Sequence, residues 1–435
     1  MLDLKYIRDN LDAVRENIRK RGARADADRV VELYAGRNTE LQRLEALRAE
    51  RNETSQRMKG KLEQEERQTL IERGRALKEE IAEVEGTVMR LEEELNAAAR
   101  AIPNMTHPDV PVGGEEDARE IAQHGAVRTF DFETKDHLAL GASLDLIDFE
   151  SAAGVAGAKF YYLRNEGALL ELALVNFALR AIIERGYIPH LTPDLAHHTV
   201  LDAIGFNPRG EETQVYSVAE SDLCLIGTAE ITLGGMLRDK VFRRDELPLR
   251  LGGFSHCFRT EAGSHGQESR GLYRVHQFSK VEMFAFTTPE ESERVHEEMR
   301  EIEVEIFTAL GLPFRVIDIA TRDLGAPAYR KFDLEAWIPS RGTWGEVTST
   351  SNCTDYQSRR LNIRYRDEEG ALRLVHTLNG TAIAVPRAII AILETYQQAD
   401  GTVVVPEVLR PWMAGQEVIR PEKVWGRLAG KSGDR

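Results

Sequence analysis

Apolar residues recur at helical spacing from the first turn of the chain. Leu4, Ile7, Leu11, Val14 and Ile18 follow one another by steps of three and four, which places them on one helix face. Lys20, Arg21 and then Gly22 supply a basic last turn and a stop residue. From about Arg29 to Arg100 the pattern predicts two long helices. In the second, Leu70, Leu77, Ile81, Val84, Val88, Leu91 and Leu95 keep a heptad seam. In the first, Leu33, Leu41, Leu44 and Leu47 are apolar and the seam turns polar toward Thr54 and Met58. Lys59-Gly60-Lys61 lies between them as the tip. Two adjacent helices joined by so short a turn make an antiparallel hairpin. About 35 residues at ~1.5 Å each give an arm of roughly 50 Å, too long to bury in a core, so it is expected to project.

The pattern changes after Ile102. The stretch Ile102-Pro-Asn-Met-Thr-His-Pro-Asp-Val-Pro-Val-Gly-Gly114 has three prolines and two glycines in thirteen residues, the composition of a linker. Beyond it come short strands, glycine-rich turns and helices, including an apolar helix over Ala168–Arg185. This texture favours an α+β fold with a mostly antiparallel sheet flanked by helices over a doubly wound one. The expected division is an N-terminal domain at 1–102 with its hairpin at about 29–100, a linker at 103–114 and a second domain at 115–435. There is no P-loop and no dinucleotide-binding glycine fingerprint.

Composition narrows the class. Hydrophobic residues at 42% and charged residues at 30% describe a water-soluble chain, and no run approaches the ~18 apolar residues of a membrane span. The charged opening residues do not read as a signal peptide, and Cys224, Cys257 and Cys353 lie far apart. A reducing cytoplasm, no disulfide framework and no structural zinc are therefore expected. The net charge of −15 argues against a generally basic nucleic-acid binder. Locally the balance differs: Arg37–Lys61 holds seven basic residues (Arg37, Arg43, Arg48, Arg51, Arg57, Lys59, Lys61) against four acidic ones. One basic edge on an acidic protein suits a phosphate-tracking arm. It also suits a solvated face, and a hairpin of this kind also serves as a spacer or dimerisation element.

Four segments of the second domain combine charge with glycine and β-forming residues: Leu223-Cys-Leu-Ile-Gly-Thr-Ala-Glu230, Phe254-Ser-His-Cys-Phe-Arg-Thr-Glu261, Tyr273-Arg-Val-His-Gln-Phe-Ser-Lys-Val-Glu-Met-Phe284, and Gly345-Glu-Val-Thr-Ser-Thr-Ser-Asn352 with Leu378-Asn-Gly-Thr-Ala-Ile-Ala-Val-Pro-Arg387. In this order they resemble the class II aminoacyl-tRNA synthetases, and the seryl branch in particular. The F-R-T-E sequence resembles the second class motif and Pro386-Arg387 ends a stretch resembling the third. Gly186-Tyr-Ile-Pro-His-Leu-Thr-Pro193 resembles the first, with Pro193 at the family's dimer interface. Gly227 departs from the pattern, standing where many members have proline.

The resemblance implies ATP-dependent activation of L-serine and its transfer to serine tRNA, and also to selenocysteine tRNA. It implies a homodimer whose hairpin grips the long variable arm of the tRNA, through Arg43, Arg48, Arg51, Arg57, Lys59 and Lys61, with the loop Ala262–Arg270 at the acceptor end. Arg259, Glu261 and Arg387 are the implied catalytic residues. ATP is assigned to Arg259, Thr260, Glu261, Val275, Phe278, Glu346, Val347, Thr348, Ser349 and Arg387, with Mg²⁺ at Glu346 and Ser349. Serine is assigned to Thr228, Ala229, Glu230, Glu282, Asn379 and Thr381.

The chemistry is consistent with these residue types. A serine carboxylate is already an anionic nucleophile, so the site must supply placement and charge neutralisation rather than a general base. Arginine forks onto two oxygens and stays charged. On a strand from Val275 to Glu282, Phe278 and Glu282 share a face about 13 Å apart, near the span from adenine to amino acid in an aminoacyl-adenylate. Plainer readings stand beside each residue: Phe278 as core, Thr381 as a helix cap, Glu261 as an ion-paired strand residue, His256, His265 and His276 as structural or RNA-facing, and Asp355 with Arg359-Arg360 as scaffold ion pairs. Rival readings of the whole chain are a ligase that charges a carrier protein and a structural coiled-coil protein.

Overall fold

The computed structural model describes residues 1–60, 63–206, 214–261 and 271–421. Two compact units result, Met1–Met105 and Thr106–Arg435. The expected loop Ala262–Arg270, together with His265 and Lys61, lies outside the described residues.

In the first unit the opening periodicity is continuous but the helix is not. Leu4–Asp9 and Leu11–Arg21 are separate helices, because Asn10 leaves helical geometry (φ −126°, ψ +37°) while its side-chain amide bonds the Tyr6 carbonyl (3.1 Å). Gly22 ends the second helix in the left-handed conformation (φ +60°), as its role as stop residue requires. Helix α1 spans Ala27–Arg57, capped by the Asp26 carboxylate on the Arg29 amide (3.0 Å), and α2 spans Gln64–Ala101. Leu44 and Leu47 pack against Leu77, Ile81, Val84 and Val88, with Leu41 partly covered. Nearer the base, Ile7, Val14 and Ile18 close over Val30, Leu33, Leu95 and Ala99. The seam does turn polar at its far end, where Thr54 is buried. Ion pairs join the helices from base toward tip: Arg29 with Glu94 (2.9 Å), Arg48 with Glu85 (2.7 Å), Arg73 with Glu50 (2.7 Å) and Arg57 with Glu66 (3.3 Å). Partners draw together in sequence toward the tip, as antiparallel pairing demands.

The second unit is built on one eight-stranded sheet among the described residues. Its strands are β1 (Arg119–His124), β2 (Ile188–Leu191), β3 (Leu249–Phe258), β4 (Gln277–Thr287), β5 (Phe314–Asp318), β6 (Arg330–Ile338), β7 (Thr343–Asn352) and β8 (His376–Ala384). The order is β1-β5-β6-β7-β8-β4-β3-β2, antiparallel throughout except for the parallel edge pair β2–β3. The proline-rich stretch expected as a linker is partly built onto this unit: the His107 amide donates to the Tyr329 carbonyl and the Thr321 amide to the Pro111 carbonyl (2.9 Å each).

Strand β4 divides the interior by parity. Odd residues Val281, Met283 and Ala285 join a core with helices α3 (Glu166–Glu184), α5 (Ser292–Ala309) and α6 (Val385–Tyr396). On the even face, Phe284 and Phe286 join a second core that includes Ile231 and Leu233, and these come from the short helix α4 (Ala229–Gly235). Gly253 on β3 permits this: a Cβ there would lie 2.9 Å from Leu233 Cδ1 and 3.0 Å from Ala229 Cβ. The remaining even residues of β4, Phe278, Lys280 and Glu282, are left to line a cavity.

Candidate active site

A cavity of about 380 Å³ opens on the even face of β4, within the range of small-molecule sites. Its lining includes Thr228, Glu230, Arg259, Glu261, Val275, Phe278, Glu282, Glu346, Val347, Thr348, Ser349, Asn379, Thr381 and Arg387. Fourteen positions proposed from sequence for ATP and serine thus meet in one place. Ala229 and Thr260 do not line it. Ala229 is the buried first residue of its helix, and the Thr260 amide donates to the Gln214 carbonyl (3.1 Å). Phe206, Leu272, Tyr273, Arg274, Lys280, Ala384 and Pro386 complete the wall without having been assigned a role in the cavity from sequence.

One end is built for anions. Arg259 follows the last residue of β3, held by its guanidinium donating to the Gly227 carbonyl (3.3 Å from both Nε and Nη2) and lying 5.4 Å from the Phe278 ring centre. A Cβ at Gly227 would lie 2.4 Å from Phe206 Cζ, the far end of a side chain, so a larger residue here would require that ring to shift. Glu261 lies beyond the strand with φ +49°, so simple alternation does not carry it there; Arg274 fixes it from the side (3.2 Å). Arg387 sits in the first turn of α6 after Pro386, where the helix N-terminus also favours anions. Its guanidinium stacks 4.7 Å from the Tyr273 ring centre and meets Glu346 through the carbonyl (3.0 Å) and the carboxylate (3.2 Å). Enclosure raises the Glu346 carboxyl, but Arg387 and Lys331 outweigh it and hold it well below the ordinary carboxylate range.

The other end is built for a small polar molecule. Glu282, 2% exposed, pairs through Oε2 with the Lys280 ammonium and accepts the Thr381 hydroxyl (3.2 Å). Thr381 therefore points into the cavity and does not cap α6. Glu230 accepts from the side-chain amides of Gln357 (2.7 Å) and Asn379 (3.0 Å). Desolvation pushes the Glu230 carboxyl up to about 7, with Glu282 adding to the rise and Gln357, Lys280 and Arg259 opposing it. Strand β4 begins at Gln277 rather than Val275, so Val275 lines the cavity from the preceding segment.

The remaining assignments fall elsewhere. His256 contacts Asp194 (2.9 Å), His276 meets the Arg259 carbonyl (3.0 Å) and Asp355 pairs with Arg359 (2.5 Å). Along the arm, Arg43 pairs with Glu40, Arg48 with Glu85 and Arg57 with Glu66. Arg51 and Lys59 are exposed and carry no ion pair among the described residues. The basic edge is thus largely offset by glutamates, several of them on the returning helix. Among the described residues, no group of three or more His, Cys, Asp or Glu is arranged to hold a metal ion, and the three cysteines are buried and free.

A mostly antiparallel sheet whose cavity is flanked by the arginine after β3 and the arginine opening α6 defines a class II aminoacyl-tRNA synthetase core. Residues 214–396 match the family described as tRNA synthetase class II core domain (G, H, P, S and T), and residues 1–106 match the seryl-tRNA synthetase N-terminal domain. The serine–tRNA ligase of Treponema denticola is 56% identical over 415 residues, covering 95% of this chain and 98% of the relative. Seryl-tRNA synthetase from Pyrococcus horikoshii complexed with ATP superposes with a TM-score of 0.88 at 38% identity, covering 97% of this chain and 100% of that one. A serine–tRNA ligase from Naegleria fowleri in complex with AMP gives 0.84 at 31%, covering 97% and 99%. The chain belongs to the seryl-tRNA synthetase family. The further expectation of selenocysteine tRNA finds no support in these relatives, whose names carry serine alone. Among the described residues no helix is long and apolar enough to cross a membrane.

Proposed function

We propose that this chain activates L-serine with ATP, giving seryl-adenylate and pyrophosphate, and transfers the serine to the 3′-terminal adenosine of serine tRNA. One observation carries the reading: Phe278 and Glu282 stand on one strand face about 13 Å apart, with Arg259 beside the ring and Arg387 across the same cavity. Phe278 stacks on adenine. Arg259 bridges the α-phosphate and the serine carboxylate, which attacks phosphorus in line with departing pyrophosphate. Arg387 neutralises the terminal phosphates. Glu282 and Thr381 take the serine hydroxyl, Glu230 its ammonium end, and the Thr228 hydroxyl donates to an oxygen of the bound amino acid. The ATP and AMP complexes of the two structural relatives support the nucleotide part.

Glu346 and Ser349 fit a Mg²⁺ ion, being hard oxygen donors in the cavity with the carboxylate held ionised. Two protein ligands leave the rest of the shell to phosphate and water, so the ion would arrive with ATP and offset its charge. The arm takes the tRNA's long variable arm, with Arg51 and Lys59, unpaired among the described residues, as its first cations and Arg43, Arg48 and Arg57 reached by exchanging glutamate for phosphate. A homodimer forms through the exposed apolar face of α3 and β2, where Leu172, Ile183, Ile188 and Leu191 are 58%, 46%, 50% and 82% exposed. The compartment is the cytoplasm.

The test is ATP–pyrophosphate exchange without tRNA. Serine should support it and alanine, glycine and threonine should not; absence of serine-dependent exchange by folded protein with Mg²⁺ would sink the reading.

A further inference from the structure

Lys280 stands between the two residues that fix the ends of the bound molecule, on the same face of β4, and has no role in the account so far. Lysine is among the residues least often buried, yet this one is 6% exposed. Its ammonium donates to Thr228 Oγ1 (2.9 Å) and is ion-paired with Glu282 Oε2, so one side chain ties the cap of the helix Ala229–Gly235 to the middle of the sheet. Ser255 is its register partner on β3, and Gly253 that of Glu282, so nothing bulky from β3 crowds the pair.

These contacts fix hydrogen-bond directions. A hydroxyl has one proton and two acceptor positions. The Thr228 oxygen accepts from Lys280 and from the Glu230 amide (3.3 Å), which directs its own proton to a third partner. Glu282 Oε2 is engaged by Lys280 and Thr381, and among the described residues no hydrogen bond falls on Oε1. The cavity therefore presents one oriented donor and one open carboxylate oxygen.

Charge points the same way. Glu230 and Glu282 face one enclosed space, and a second carboxylate there favours uptake of a proton by one of them. The other charged or titratable groups are Arg259 at the end of β3, the buried Cys257 thiol on β3 and Glu303, which reaches toward Glu282 from α5. Lys280 is the cation in contact with Glu282. Removing one partner of a buried pair leaves the other charge uncompensated.

We propose that Lys280 is a positioning residue for serine: it orients the Thr228 hydroxyl as a donor and holds the Glu282 carboxylate with Oε1 open as the acceptor. Its ammonium is engaged by Thr228 and Glu282. The inference rests on the serine-activation reading, and the exchange activity of the unaltered chain tests that reading separately.

The experiment compares Lys280→Met with the unaltered full-length chain in ATP–pyrophosphate exchange, with folding checked by circular dichroism. The KM for serine should rise at least 30-fold while the KM for ATP stays within threefold. Lys280 opposes the rise of the Glu230 carboxyl, so its loss should move the acid limb of kcat/KM for serine upward by one pH unit or more. A serine KM within threefold of the unaltered chain, or parallel rises in both KM values with the acid limb in place, would overturn the proposal. If Lys280→Met does not fold, Lys280→Arg takes its place. It keeps the charge but cannot reproduce both contacts of a compact ammonium. It should raise the serine KM fivefold or more with the acid limb unmoved, and an unchanged serine KM would overturn the proposal.

Discussion

The hairpin and the cavity both pair basic side chains with glutamate, under different physics. On the arm, Arg48–Glu85 and Arg57–Glu66 join side chains that are each about half exposed. Such pairs contribute roughly 0–1 kcal/mol and are weakened by salt. They are therefore cheap to exchange for another anion, which is what the proposed exchange of glutamate for phosphate needs. In the cavity, Lys280–Glu282 is almost fully buried, and each member is also bonded to a hydroxyl. Breaking such a pair leaves a buried charge at a cost of about 3–5 kcal/mol. One region stays adaptable because its ions are wet; the other is selective because its ions are dry.

The contrast can be tested from its strongest end downward. Arg259→Ala removes the cation proposed for the α-phosphate and should lower kcat/KM for serine-dependent exchange by about 10²–10³-fold or more, with the arm's helicity unchanged. A loss under tenfold would mean the anion end is assigned wrongly. Leu77→Ala cuts a fully buried side chain from the arm seam and should cost about 2–5 kcal/mol, read as faster hydrogen exchange in the hairpin amides. Exchange activity should stay within twofold, and a larger drop would show that the regions do not act separately. Arg48→Ala should shift stability by less than about 1 kcal/mol, while weakening tRNA charging most at low salt. A stability loss beyond 2 kcal/mol would put this pair with the dry ones.

The arm was legible because its seam is a local period: Leu77, Ile81, Val84 and Val88 need only helical spacing to find one face. The cavity residues were legible because short motifs carry them in order. What sequence missed depends on contacts between distant segments. Lys280 reads as an ordinary lysine on a strand; its burial follows from the register with Ser255 and from the approach of Thr228, both set by tertiary structure. Tyr273 under Arg387 and Gln357 beneath Glu230 are of the same kind. The break at Asn10 was hidden because an unbroken apolar period survives a single residue that bonds to its own chain. The basic edge of the arm was visible, but its neutralisation by the returning helix needs the antiparallel register.

Division of labour between the two regions is the central claim, and one measurement addresses it most directly. Leu41–Leu91 is replaced by a short turn, and the shortened protein is assayed side by side for serine-dependent ATP–pyrophosphate exchange and for charging of serine tRNA. The account predicts exchange within about twofold of the full chain and charging reduced by at least 10²-fold. Charging that survived removal of the hairpin would contradict it.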